Sequence, residues 1–154
     1  MTVHGFMNAV YFVGIFVGMA LGGDDPVDQL SGYMAVAVGT LGLASGLRHI
    51  FLAGALGDHR EPLAFANQTF FEWEAGFANL AFGTMALVTS LGGWGVPAMS
   101  AVAIGYAIYL LGAAVTHLIS GWRSGSLRRS LLYACLTITL VSTGAFRVIP
   151  AWNP

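Results

Sequence analysis

The stretch YMAVAVGTLGLASGLRHIFLAGAL, residues Tyr33–Leu56, decides the fold class of this chain. As an α-helix with a rise of about 1.5 Å per residue, it is long enough to cross a hydrocarbon core about 30 Å thick. Four further apolar runs fill most of the remaining sequence: Val3–Leu21, Phe70–Leu91, Ala98–Ile119 and Ser130–Phe146. The sequence therefore predicts an all-α fold, a polytopic transmembrane bundle of five tightly packed helices.

Composition supports a membrane protein and excludes other classes. Charged residues make up 8% of the chain and its mean hydropathy is +0.74, so a soluble domain would lack the polar surface to cover itself. The length leaves room for a single integral membrane domain over residues 1–154. A net charge of −1 gives no reason to expect nucleic acid as a partner, and the lipid bilayer is the expected environment.

The charges of the connections predict an orientation. The first connection, Gly22–Gly32, is acidic, whereas the second, Gly57–Thr69, contains an arginine and the fourth, Gly121–Arg129, contains three. Because basic residues accumulate on cytoplasmic loops, we expect the N-terminus to be cytoplasmic in a multi-pass protein of the inner (cell) membrane. Arg147 then falls on the outer side, beside Trp152, as an interfacial exception.

Glycines recur at close to four-residue spacing on two runs. The first run carries Gly14, Gly18 and Gly22, and the second carries Gly39, Gly42 and Gly46. Such stripes let helix backbones approach closely where lipid offers no hydrophobic drive for association. They predict tight packing within one chain, while a homo-oligomer or a larger membrane complex remains an alternative use of the same faces.

Ionisable side chains inside apolar runs are expensive to bury, so each is a candidate functional residue. In the orientation above, the polar groups of four runs converge on one cytoplasmic-side layer, which we expect to form an intramembrane pocket. The candidate catalytic residues are Glu74, His49 and His117. The candidate ligand-binding residues are Arg48, Glu72, Asn79, His4 and Asn8.

Helical phase separates the two carboxylates of the third run. Glu72 shares a face with Gly76, Asn79 and Gly83, a small-residue stripe expected to pack inward. Glu74 lies about 200° away around the helix, so the two carboxylates do not both reach one centre from an unbroken helix. Glu74 then faces another neighbour, and a structural ion pair with Arg48 is the alternative to a catalytic role.

Two cofactor hypotheses involve the histidines. His49 and His117 are candidate axial ligands of a haem, although the sequence contains no haem-attachment motif. A metal site is the other hypothesis, with ligands drawn from His49, His117, Glu72 and Glu74. The Glu-x-x-His repeats typical of a di-iron bundle are missing from the sequence, so neither hypothesis is specific.

Two segments carry a resemblance. Phe71–Leu80, FEWEAGFANL, and Gly112–His117, GAAVTH, resemble an uncharacterised family of small multispanning prokaryotic membrane proteins, with a Glu-x-Gly-Phe-Ala-Asn-Leu run and a later Gly-Ala-Ala-x-x-His. On this resemblance Glu74, Asn79 and His117 match motif residues, and His49 matches a histidine ending the second helix. The family is broadly similar to the DoxX-like four-helix membrane proteins, some linked to redox work, and it implies no activity.

Three functions from different classes remain open at this point. The first is a membrane-embedded bundle that binds a small molecule or cofactor in the polar layer, or an enzyme in which a desolvated carboxylate there exchanges protons. The second is a non-catalytic accessory subunit of a larger membrane complex. The third is a small proton-linked transporter, which the near-absence of ionisable residues in the outer half disfavours.

Overall fold

The computed structural model describes the backbone of residues 3–56, 62–124 and 127–153, and the side chains of residues 9–52, 70–123 and 130–153. The helices are α1 (Val3–Ala20), α2 (Pro26–Tyr33), α3 (Gly39–Leu56), α4 (Pro62–Leu91), α5 (Gly95–Ser124) and α6 (Leu127–Trp152). A π-helical turn, Met34–Val38, joins α2 to α3 in one continuous rod. The described residues thus form five helical rods and contain no strand, which confirms the predicted all-α bundle.

Three of the rods are long and apolar enough to cross a membrane. They are Pro26–Leu52, Gly95–Arg123 and Ser130–Trp152. The described apolar part of α1, Ala9–Ala20, is shorter than these three. Helix α4 carries two glutamates and an asparagine between residues 72 and 79, and it is not among the three. Three such rods identify a multi-pass membrane protein.

The first connection is shorter than the sequence predicted. The chain reverses at Gly22 and Gly23, whose φ angles of 99° and 58° favour glycine, and α2 already begins at Pro26. Asp25 caps this helix by accepting from the backbone N–H groups of Val27 at 2.7 Å and Asp28 at 3.1 Å. A carboxylate cap followed by proline at the first helical position is a strong helix start, so the predicted boundary at Tyr33 was wrong.

Helices α3 and α4 cross at their glycines. A Cβ atom built on Gly42 would lie 2.5 Å from the Cα of Gly83, and one built on Gly46 would lie 2.8 Å from the carbonyl oxygen of Gly76. Real Cβ atoms do not approach backbone atoms this closely, so only glycine permits the crossing. The prediction that this glycine stripe packs within the chain is confirmed.

The far end of the bundle is held by polar contacts that the sequence reading underestimated. Arg147 is half-buried and donates to the side chain of Gln29 and to the carbonyl oxygen of Met19, in the last turn of α1. Trp152 donates to the Ser100 hydroxyl at 2.9 Å and so ties α6 to α5. Arg147 is therefore a clamp between three helices rather than only an interfacial residue beside Trp152.

Candidate functional site

The glycine crossing sets His49 of α3 beside Glu72 of α4. His49 follows Gly46 by about one helical turn. A Cβ atom built on Gly76 would lie 3.2 Å from the Cβ of His49. The two side chains meet there, His49 Nδ1 in hydrogen-bonding contact with Glu72 Oε2. They are only 13% and 28% exposed, respectively. A substituent on either glycine would push the imidazole and the carboxylate apart.

Arg48 continues this contact into a chain of three residues. Its Nη2 lies 3.1 Å from His49 Nε2, and its Nη1 donates to the Tyr133 hydroxyl at 3.3 Å. Because a guanidinium has donors and no acceptor, His49 Nε2 must accept in this contact, and the imidazole proton is assigned to Nδ1. The hydrogen bonds therefore run in one direction, from Arg48 to His49 to Glu72. We call these three residues the relay.

Helices α5 and α6 complete the surroundings of the relay. The rings of His117 and Tyr133 stack with centroids 4.8 Å apart and planes 21° apart. His117 is exposed, and it lies within electrostatic reach of His49, Arg48 and Glu72. The relay therefore adjoins the bundle surface at the end where α3 and α5 finish and α4 and α6 begin.

Two buried donors beside the relay have no hydrogen-bond partner among the described residues. They are Arg48 Nε and the hydroxyl of Tyr11, which α1 contributes from the opposite side. Tyr11 is 5% exposed and lies near Arg48, Ser45 and Tyr133. The Ser45 hydroxyl is a candidate partner for it but does not reach hydrogen-bonding geometry. Unsatisfied buried donors are uncommon in native proteins, so these two indicate a place where a hydrogen-bond acceptor would bind favourably.

Glu74 is not part of this cluster. Its side chain is exposed, on a different face of α4 from Glu72. The described contacts of Arg48 are to His49 and Tyr133, and the carboxylate that meets α3 is Glu72. The alternative of an Arg48–Glu74 ion pair therefore does not match these contacts, and the catalytic role expected of Glu74 stays a prediction.

Asn79 sits deeper and joins α4 to α5. Its amide donates to the Ala75 carbonyl at 2.8 Å and to the Tyr109 hydroxyl at 2.9 Å, and its oxygen accepts from Tyr106 at 2.7 Å. A buried amide with its hydrogen bonds satisfied in this way rigidifies a core. Binding a ligand at Asn79 would require breaking these bonds.

The remaining predicted site residues are placed as follows. The side chains of His4 and Asn8 lie outside the described residues. Among the described side chains, no group of three or more His, Cys, Asp or Glu residues is arranged to hold a metal ion. Both ring nitrogens of His49 face protein groups, so ligating a metal or a haem iron would require Arg48 or Glu72 to move away.

The sequence reading missed Tyr11 and Tyr133. Both are tyrosines inside apolar runs, where a hydroxyl has to find a polar partner because lipid supplies none. That requirement was the available signal, but it does not say which of several tyrosines in the chain meets Arg48. Helix packing decides the matter, by turning Tyr133 of α6 toward α3.

The cavity with the apolar lining lies away from the relay. It is an apolar groove of about 250 Å³ between α5 and α6, with Tyr33 and Val38 at its base. Its α6 wall runs from Leu140 to Ile149, toward the opposite end of the bundle from Tyr133. The groove therefore does not contribute to the polar site.

Comparison with known proteins identifies a family whose function is unknown. The sequence model of a family of unknown function, DUF6790, matches residues 2–149. Neither the curated proteins nor the solved structures include a significant match to the chain. The expectation of an uncharacterised family is thus confirmed, while the specific motif and the DoxX-like relationship stay predictions.

Proposed function

We propose that this chain, which belongs to the DUF6790 family of unknown function, binds a small polar molecule at the relay and uses His49 as proton acceptor. The observation that carries the proposal is the directed set of hydrogen bonds from Arg48 through His49 to Glu72. We further propose five membrane crossings, a cytoplasmic N-terminus and a location in the cell membrane, which puts the relay on the cytoplasmic side.

The arrangement of His49 and Glu72 is one that prepares an imidazole for proton transfer. A carboxylate that accepts from Nδ1–H fixes the tautomer and leaves the lone pair on Nε2, as in hydrolase triads and around metal-bound histidines. It also stabilises the imidazolium that forms when Nε2 takes a proton. Glu72 is the residue placed to do this for His49.

Arg48 covers the reactive nitrogen in the structure. Its Nη2 occupies the Nε2 lone pair of His49, so His49 becomes a base only when the guanidinium turns to another acceptor. A ligand that offers Arg48 a better acceptor would therefore expose His49 at the same moment. Binding and proton transfer would be coupled through one side chain.

The accessory-subunit alternative has lost part of its support. It was suggested by glycine stripes free to contact partners, but Gly42 and Gly46 pack against α4, and a Cβ built on Gly18 would lie 2.9 Å from the Cβ of Ala37. The relay also joins α3 to α4, but its polarity is not needed for that. A purely structural role would be met by apolar residues without burying an arginine, a histidine and a glutamate.

A thermal-stability screen of the purified protein tests the proposal. Small carboxylates, phosphates, amines and neutral polar molecules are added to wild type, Glu72→Gln and the matched control Glu74→Gln. A ligand present at about 100 times its Kd adds about 2.7 kcal/mol to the folded state, a readily measured rise in Tm. We expect at least one compound to raise the Tm of wild type and Glu74→Gln equally and that of Glu72→Gln by a different amount, because only Glu72 adjoins the site.

Two results would contradict the proposal. One is a screen in which no compound stabilises wild type, or in which all that do act equally on Glu72→Gln. The other is a stoichiometric protein partner that co-purifies with wild type and Glu72→Gln alike, which would favour the accessory subunit.

A further inference from the structure

Hydrogen-bond donors without a partner among the described residues lie at and near the Arg48 guanidinium. Arg48 Nε and the Tyr11 hydroxyl are buried without partners among the described residues. The Tyr133 hydroxyl accepts from Arg48 and keeps its own proton to donate. The guanidinium thus keeps one free donor of its own, and two tyrosine hydroxyls lie near it with protons to donate, so a group that only accepts is the complementary ligand.

Among the described side chains, no carboxylate contacts the Arg48 guanidinium directly. Its described contacts, His49 Nε2 and the Tyr133 hydroxyl, are neutral groups. The carboxylate of Glu72 is reached through the imidazole rather than by the guanidinium itself. Guanidinium groups bind carboxylates and phosphates most strongly, by paired charge-assisted hydrogen bonds, and this one has no such partner among the described residues.

We propose that the ligand of the relay carries an oxyanion, a carboxylate or a phosphate, which binds Arg48 with Tyr11 and Tyr133 as additional donors. This inference rests on the proposed function and names its ligand class. The oxyanion draws Nη2 away from His49, so that Nε2 is released to accept a proton from an acidic group of the bound molecule, which keeps the electron pair of the broken bond. The proton moves to Nε2, while Nδ1–H stays on its bond to Glu72.

The oxyanion belongs to a soluble metabolite or to a lipid headgroup. The two sources are distinguished by changing the lipid of the nanodisc and the anion added to it. Protein in nanodiscs of phosphatidylcholine is titrated with acetate and with inorganic phosphate, which tests a soluble anion. Protein in nanodiscs containing phosphatidylglycerol, without added anion, tests a lipid. In each case the readouts are Tm and the ¹⁵N signal of His49 Nε2.

Tyr11→Phe is the decisive variant. Since the hydroxyl has no partner among the described residues, its removal leaves the free energy of unfolding unchanged or raised, because an unsatisfied buried group is lost. Under the proposal the same variant binds the oxyanion about 10-fold more weakly, the effect of one lost hydrogen bond to an anion. Arg48→Gln binds at least about 10-fold more weakly.

Arg123→Gln is the control for net charge. This arginine is exposed on the last turn of α5, at the same end of the bundle, and its loss changes the charge as Arg48→Gln does. We expect oxyanion affinity to stay within about twofold of wild type in this variant, since exposed charges contribute little. Equal losses in Arg48→Gln and Arg123→Gln would overturn the site in favour of non-specific attraction.

The outcomes separate this inference from the proposed function. If a neutral or cationic compound stabilises the protein in a Glu72-dependent manner and no anion binds, the oxyanion is wrong and the polar-ligand site stands. If an anion binds through Arg48 and Tyr11 while the His49 Nε2 signal does not change, the oxyanion site stands and the role of His49 as proton acceptor is wrong. Unaltered affinity in Tyr11→Phe contradicts the oxyanion site itself.

Discussion

His49 and Glu72 meet where α3 crosses α4, one helical turn away from the contact between Gly46 and Gly76. The glycines and the polar pair belong to the same faces of the two helices, so the crossing that lets the backbones touch also joins an imidazole to a carboxylate. Structure and proposed chemistry therefore depend on the same contact.

The first prediction concerns the crossing itself. Gly42→Ala places a Cβ 2.5 Å from the Cα of Gly83, and backbone cannot yield as a flexible side chain would. We expect the free energy of unfolding to fall by about 1–3 kcal/mol, as for other overpacked sites. Gly112→Ala is the control, because nothing lies within 4 Å of its new Cβ, and a helix-interior alanine should stabilise by up to about 1 kcal/mol. Denaturation in mixed detergent measures both, and equal effects would argue against the crossing.

The second prediction separates the two carboxylates of α4. Glu72→Gln removes the charged acceptor of His49 Nδ1–H, and we expect a loss of about 1 kcal/mol, the difference between a charged and a neutral hydrogen bond. Glu74→Gln removes an exposed charge and should leave the unfolding curve unchanged. In the ligand screen, the same pair of variants tests the functional role that the sequence suggested for Glu74. A larger effect at Glu74 than at Glu72 would reverse our assignment.

The third prediction concerns the bond network around Asn79. Asn79→Leu deprives the buried hydroxyl of Tyr106 of its acceptor, so we expect a loss of about 1–3 kcal/mol. Tyr106→Phe in the same protein removes the orphaned hydroxyl and should restore part of that loss. A double-mutant cycle on unfolding free energies measures the coupling. Strictly additive effects would show that the two side chains do not interact.

The fourth prediction concerns orientation. Single cysteines are introduced into a Cys135→Ala background as Asp24→Cys and Arg123→Cys. Asp24 lies in the acidic turn between α1 and α2, and Arg123 lies at the opposite end of the bundle, in the last turn of α5. The positive-inside rule puts Asp24→Cys outside and Arg123→Cys inside. A membrane-impermeant maleimide added to whole cells should label only the first. The reverse pattern would invert the bundle and put the relay on the outer side.

Much of the fold was predictable because the apolar runs are long and punctuated by glycine and proline. Helical phase also gave the inward faces, since the spacing from Gly42 through Gly46 to His49 fixes which side chains share a stripe. The boundaries were less accurate. α2 begins at Pro26 because Asp25 caps it, a local hydrogen bond that hydropathy does not register.

The candidate site was predictable as a layer but not as a set of contacts. Phase showed that Glu72 and Glu74 diverge, yet it did not say which of them meets α3. That choice depends on the rotation of α4 against α3, which is set by the fit of four glycines. Arg147 was misjudged for a similar reason, because its partners, Gln29 and the Met19 carbonyl, lie more than a hundred residues away in sequence.

His49 donates a hydrogen bond to Glu72 only if its ring proton is on Nδ1, so the position of that proton is the quantity to measure. Protein labelled with ¹⁵N-histidine is studied by NMR in lipid nanodiscs, and the His49 signals are those missing from the His49→Gln spectrum. We expect a proton on Nδ1 and none on Nε2, which accepts a hydrogen bond. This pattern should be lost in Glu72→Gln and kept in Glu74→Gln. A proton on Nε2 in the neutral wild-type ring, or an unchanged pattern in Glu72→Gln, would contradict this assignment.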